Sequence, residues 1–63
     1  MKKITPDMIR RLQKDGSFKF EGVTREESRT LAAKLASAAT DEYGAYGIAR
    51  DAFGYYIAAC INY

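Results

Sequence analysis

Three observations in this 63-residue chain predict a small α+β domain, two helices with a short three-stranded antiparallel sheet in the order α-β-α-β-β. Two helix starts have their caps written in the sequence. A short alternating aromatic pattern lies between them. The last third is tyrosine-rich and punctuated by glycine. At this length residues 1–63 form a single domain, and such a domain buries only about 60% of the surface its unfolded chain exposes, so each cap and turn carries weight.

The first helix begins at Pro6. Thr5 is its N-cap, proline is favoured at the first helical position, and Asp7 places a carboxylate where the helix dipole favours one. Ile4 and Ile9 occupy the two positions of a hydrophobic staple, Met8 and Leu12 continue the apolar stripe, and Gly16 ends the helix. Arg10, Arg11 and Lys14 are expected to face outward. Ser17-Phe18-Lys19-Phe20-Glu21 alternates as a half-buried strand requires, with Phe18 and Phe20 on one face and Gly22 closing it.

Thr24-Arg25-Glu26-Glu27 is a capping box that starts a second helix, expected to run to about Tyr43. Leu31, Leu35, Ala32, Ala38 and Ala39 make its expected buried stripe, while Arg29, Lys34, Ser37 and Asp41 look outward. Gly44 and Gly47 then break the helical pattern.

Residues 46–61 admit two readings. Ile48, Ala49, Ala52, Phe53, Tyr56, Ile57, Cys60 and Ile61 fit helical spacing, which gives a three-helix all-α alternative. Against it, each interior glycine costs a helix about 1 kcal/mol, and tyrosine, isoleucine and phenylalanine favour strands. Asp51-Ala52-Phe53-Gly54 has aspartate first and glycine fourth, as a type I turn prefers, so strands at 46–50 and 55–61 would pair as a hairpin. Both faces of the second strand are largely apolar, and two short helices cannot cover a whole sheet. An uncovered apolar face is the mark of a partner or self-association surface.

Enzyme chemistry finds little support. The chain has no histidine and one cysteine, so neither a zinc cluster nor a histidine-based triad can be assembled within it. Asp41, Glu42 and Asp51 lack EF-hand spacing, and the capping box already accounts for Glu26 and Glu27. Gly44, Gly47 and Gly54 do not form a phosphate-binding loop, and Ser17, Ser28 and Ser37 are read as turn or helix-surface residues. No cofactor or metal is expected. Cys60 reads as a buried structural thiol. That single cysteine, with neither a signal-peptide apolar run nor a membrane span, predicts a cytoplasmic protein without a membrane partner.

What remains is binding. The net charge is +2, but residues 1–40 hold nine bases against five acids, and residues 41–63 hold one base against three acids. Arg10, Arg11, Lys14, Lys19, Arg25 and Arg29 are the candidates for a nucleic-acid surface, the second-ranked function. The tyrosines fall in the acidic half, apart from those bases, which weakens stacking-based recognition of single strands. Protein binding accounts for more of the sequence. Tyr43, Tyr46, Arg50, Phe53, Tyr55, Tyr56 and Tyr63 are its interface candidates, because tyrosine and arginine dominate interface hot spots and five tyrosines are too many for so small a core. A homodimer joined through the exposed sheet is a third reading.

In general character the chain resembles small accessory proteins of phages and other mobile elements, including inhibitors of bacterial defence such as anti-CRISPR proteins. The likeness lies in the general build of the chain, with helices capped at Thr5-Pro6 and Thr24-Arg25-Glu26-Glu27, a tyrosine-rich end and no catalytic set. It implies a non-enzymatic inhibitor that occupies a surface of a larger host protein or complex. It carries over no functional residue. The mildly positive charge departs from the acidic DNA mimics among such inhibitors.

Overall fold

The computed structural model describes residues 3–42 and 44–61. Its elements are α1 (Pro6–Asp15), β1 (Ser17–Lys19), α2 (Arg25–Ala39), β2 (Tyr46–Arg50) and β3 (Tyr56–Cys60). The α+β order is the one expected, and the three-helix alternative is set aside by a hairpin at β2 and β3.

Both helices start where their side chains can satisfy the first free N–H groups. The Met8 N–H donates to Thr5 Oγ1 at 3.3 Å, and Pro6 fills the first helical position. Asp7 accepts from Arg11 at 2.9 Å and lies 3.7 Å from Arg10. The helix stops at Gly16, whose φ of 84° is left-handed and whose N–H donates to the Leu12 carbonyl at 2.8 Å. In α2 the capping box is reciprocal: the Glu27 N–H donates to Thr24 Oγ1 and the Thr24 N–H to Glu27 Oε1, each at 3.1 Å.

The second helix ends earlier than the expected Tyr43. Thr40 has extended backbone (φ −65°, ψ 128°), and its hydroxyl donates back to the Ala36 carbonyl at 2.8 Å while accepting the Tyr46 N–H at 3.0 Å. A threonine hydroxyl offered to both sides of the bend competes with another helical turn. The buried stripe also differs, running Ser28, Leu31, Ala32, Leu35, Ala36 and Ala39. Ala38 is exposed, whereas Ala36, four residues after Ala32 and eight after Ser28, continues the buried face.

The sheet order is β1-β3-β2, with both neighbours antiparallel to the central β3. Phe18 pairs with Ala58, which also faces Ile48 on the other side. Those three residues project toward the helices. Fully buried Ala58 joins Leu12 of α1 and the leucines and alanines of α2 in one core, with Phe20 also buried and Phe18, Val23, Tyr46 and Tyr56 packed around them. Small side chains on α2 and on β3 let helix and sheet approach closely. The first strand is shorter than expected, ending at Lys19, yet Phe18 and Phe20 still meet edge to face at 5.1 Å between ring centroids.

Both helices pack on one side of the sheet. By the same register, Ser17, Lys19, Gly47, Ala49, Ile57 and Ala59 lie on the opposite side, and none of them belongs to the core. Ile61 folds over Gly47 there, 3.3 Å from where a Cβ would stand. Among the described residues no helix or strand covers this face, as the two-helix composition predicts.

One buried polar contact ties the layers together. Ser28, read from sequence as a surface or turn serine, is completely buried. Its Oγ donates to the Arg25 carbonyl at 2.6 Å and accepts the Tyr56 N–H at 3.0 Å. The first strand ends one residue too early to take that N–H, so a helix side chain takes it instead. Ser28→Ala leaves the part-buried Tyr56 N–H unpaired and should lower stability by about 1–3 kcal/mol. Thermal unfolding followed by circular dichroism checks this, with a fall in Tm of about 4–8 °C per kcal/mol expected for a domain of this size.

Candidate protein-binding surface at the hairpin end

The turn between β2 and β3 is built by Asp51. The Gly54 N–H donates to the Asp51 carbonyl at 3.2 Å, and the Asp51 N–H donates to the Tyr55 carbonyl at 2.8 Å, which closes a three-residue loop. The Asp51 carboxylate accepts from the N–H groups of Phe53 (2.9 Å) and Tyr55 (3.0 Å). Gly54 has φ 89°, as the last residue of such a loop requires. The turn is the one expected, although Tyr55 closes the loop and β3 itself begins at Tyr56.

This loop is clamped from the side by the start of α2. Arg25 Nε donates to the Phe53 carbonyl at 3.0 Å, and its guanidinium lies 5.4 Å from the Tyr55 ring centroid. One helical turn later, the Arg29 guanidinium lies 5.9 Å from the Tyr56 ring centroid. Each contact is worth about 0.5–1 kcal/mol at an exposed site. Bases and aromatics that lie far apart in the chain therefore interleave in space.

Phe53 stands out of the clamp. The residue is 72% exposed, more than any other large apolar residue described, while its backbone is held at both N–H and C=O. Beside it runs a groove of about 530 Å³ whose lining includes Phe20, Val23, Phe53 and Tyr55. Glu27 and Asp51 also reach this groove, with carboxylates already engaged by backbone N–H groups.

The interface candidates separate on this frame. Phe53, Tyr55 and Tyr56 gather at the hairpin end, and Arg50 is directly opposite Tyr56 in the register. Tyr56 is half-buried against the core and so supports the fold as well as the surface. Tyr46 lies at the far end of β2, half-buried against the core. Tyr43 and Tyr63 lie outside the described residues. Cys60 is half-buried and not disulfide-bonded.

The nucleic-acid candidates separate too. Arg10 and Arg11 share Asp7 on α1, where Lys14 is also exposed, whereas Arg25 and Arg29 are on α2 against the tyrosines. Lys19 borders the groove. Among the described residues no group of three or more cysteine, aspartate or glutamate side chains is placed to hold a metal ion, and no helix is long and apolar enough to cross a membrane. Sequence reasoning missed Ser28 and the two arginine–tyrosine contacts. The first had a signal, since position 28 falls on the helical stripe of Leu31, Ala32 and Leu35.

The chain matches no known protein-family model, and neither a curated protein nor a solved structure shows detectable similarity to it.

Gly54 is the most constrained point of the surface. A Cβ there would require an L-residue at positive φ and would stand 3.1 Å from Arg25 Nε. Gly54→Ala should therefore cost about 1–2 kcal/mol from backbone strain alone. Urea unfolding checks the loss, and displaced amide resonances of Phe53 and Tyr55 in the folded protein check that the arginine clamp has moved.

Proposed function

We propose that this chain is a non-enzymatic binding module that attaches through its hairpin end to a larger protein or complex and acts by occupying that surface. Small mobile-element inhibitors of the anti-CRISPR kind would act in this way. The reading rests on Phe53, a large aromatic side chain held in solvent by a loop whose backbone is hydrogen-bonded to Asp51 and Arg25. Exposing a phenylalanine is unfavourable, and fixing it beforehand reduces the ordering cost that binding would otherwise carry. Arginine and tyrosine around it supply the residue types that anchor interfaces.

A nucleic-acid reading draws on the same arginine–tyrosine contacts, which bring bases and aromatic rings together. It is the weaker one. The Tyr55 and Tyr56 rings each already carry a guanidinium over one side, and Arg10 and Arg11 are partly neutralised by Asp7. The homodimer reading draws on the uncovered sheet face.

Affinity capture from bacterial lysate with the tagged chain separates the three. Protein binding predicts one stoichiometric partner that survives nuclease, weakened about tenfold or more by Phe53→Ala and by Arg50→Glu, and unchanged by Arg10→Glu with Arg11→Glu. Recovery of nucleic acid alone, lost as salt rises, would replace this reading with the second. A concentration-dependent dimer with nothing else bound would replace it with the third.

A further inference from the structure

The outer edge of β2 is open along only part of its length, and the hydrogen bonds show which part. Ile61 donates to the Ala45 carbonyl and Asp51 to the Tyr55 carbonyl, so the odd-numbered residues from 45 to 51 direct their backbone groups at β3. Tyr46, Ile48 and Arg50 direct theirs outward. The Tyr46 N–H is already taken by Thr40 Oγ1 at 3.0 Å, and its carbonyl lies 3.4 Å from the same hydroxyl. Among the described residues nothing pairs with the backbone of Ile48 or Arg50.

The side chains around that gap differ on its two sides. Toward the helices, Arg29 lies over the Tyr56 ring and Arg50 is paired opposite Tyr56, so both cations belong to one side of the sheet. Neither has a carboxylate within ion-pair distance among the described residues, whereas Arg10 and Arg11 do. On the other side, Gly47, Ala49 and Ile57 are apolar. Ile48, 41% exposed, stands beside Arg50 on the helix side.

We infer that the β2 edge at Ile48 and Arg50 takes up an extended segment of the partner in which acidic and apolar residues alternate. Resting on the protein-binding reading, this specifies the partner's chemistry. Strand addition gives the segment backbone hydrogen bonds from two residues of β2. Alternation then turns its carboxylates toward Arg29 and Arg50 and its aliphatic side chains toward Ala49 and Ile57. A second copy fits less well. Antiparallel self-pairing at the two open residues would set Ile48 against Arg50 and bring both copies' Arg29 and Arg50 to one side, cation near cation.

The test uses the ¹⁵N-labelled full chain and capped peptides of about eight residues, an ordinary strand length, one alternating valine with glutamate and one valine with lysine. The valine–glutamate peptide should slow amide hydrogen exchange of Ile48 and Arg50 by about tenfold or more and leave that of Tyr46 unchanged. Arg50→Glu should reverse the preference between the two peptides, and Ile48→Pro, which removes an outward N–H, should abolish the protection. Absence of protection at Ile48 and Arg50, or equal protection by both peptides, overturns the inference. So does stronger protection by oligothymidylate, or protection that grows with protein concentration without peptide. Peptide-induced shifts confined to Phe53 and Tyr55 would overturn the edge site while leaving hairpin-end binding in place. Failure of affinity capture to recover any protein would tell against hairpin-end binding instead.

Discussion

The two layers of this domain meet through one buried hydroxyl. The first strand leaves the sheet after Lys19, which removes the neighbour that β3 would need to satisfy the Tyr56 N–H. An unsatisfied donor at that depth would cost a domain of this size a large part of its stability. Ser28 removes that cost from the helix side and donates its own proton to the Arg25 carbonyl. With position 28 fixed against β3, Arg25 lies one turn earlier against Phe53 and Tyr55, and Arg29 falls over Tyr56. The hairpin end is ordered because the helix start is anchored beside it.

Small side chains govern the rest of the packing. Ala32, Ala36 and Ala39 share the core with Ala58 of the central strand, so small side chains meet there beside Leu12, Leu31, Leu35 and Phe20. This economy limits what two helices cover. Among the described aromatics, Phe20 is within the core, Phe18, Tyr46 and Tyr56 pack around it, and Phe53 lies outside it. The uncovered sheet face is the remainder of the same geometry.

Most of the fold was legible because its signals are local. Thr5-Pro6, the Thr24–Glu27 box, Gly16 and the Asp51–Gly54 turn each involve residues within a few positions of one another, and all four form as their chemistry dictates. The misjudged features involve distance. The end of α2 depends on Thr40 finding the Tyr46 N–H across a bend, which nothing within the helix foretells. Ser28 shows helical periodicity and residue type in conflict, and position won over polarity because a strand N–H awaited it. For the candidate surface, the sequence offered the residue types and not the way they assemble. Arg25 and Arg29 looked remote from the tyrosines, and only the antiparallel return of β3 beside α2 brings them together.

That assembly changes how the charge distribution should be understood. Along the chain, a basic half precedes an acidic, aromatic one, which suggests two surfaces with separate roles. In the folded protein Asp7 draws Arg10 and Arg11 into local pairs, while Arg25 and Arg29 cross to the aromatic end and join Arg50 there. The hairpin end thereby acquires cations that its own segment lacks, and the aromatic faces beneath them lose room for stacking bases. Guanidinium groups resting on rings still direct their N–H donors outward in the guanidinium plane, where carboxylates bind best. On the proposed protein-binding reading, these cations would suit an acidic protein surface with apolar side chains, beside an exposed phenylalanine and an open strand edge.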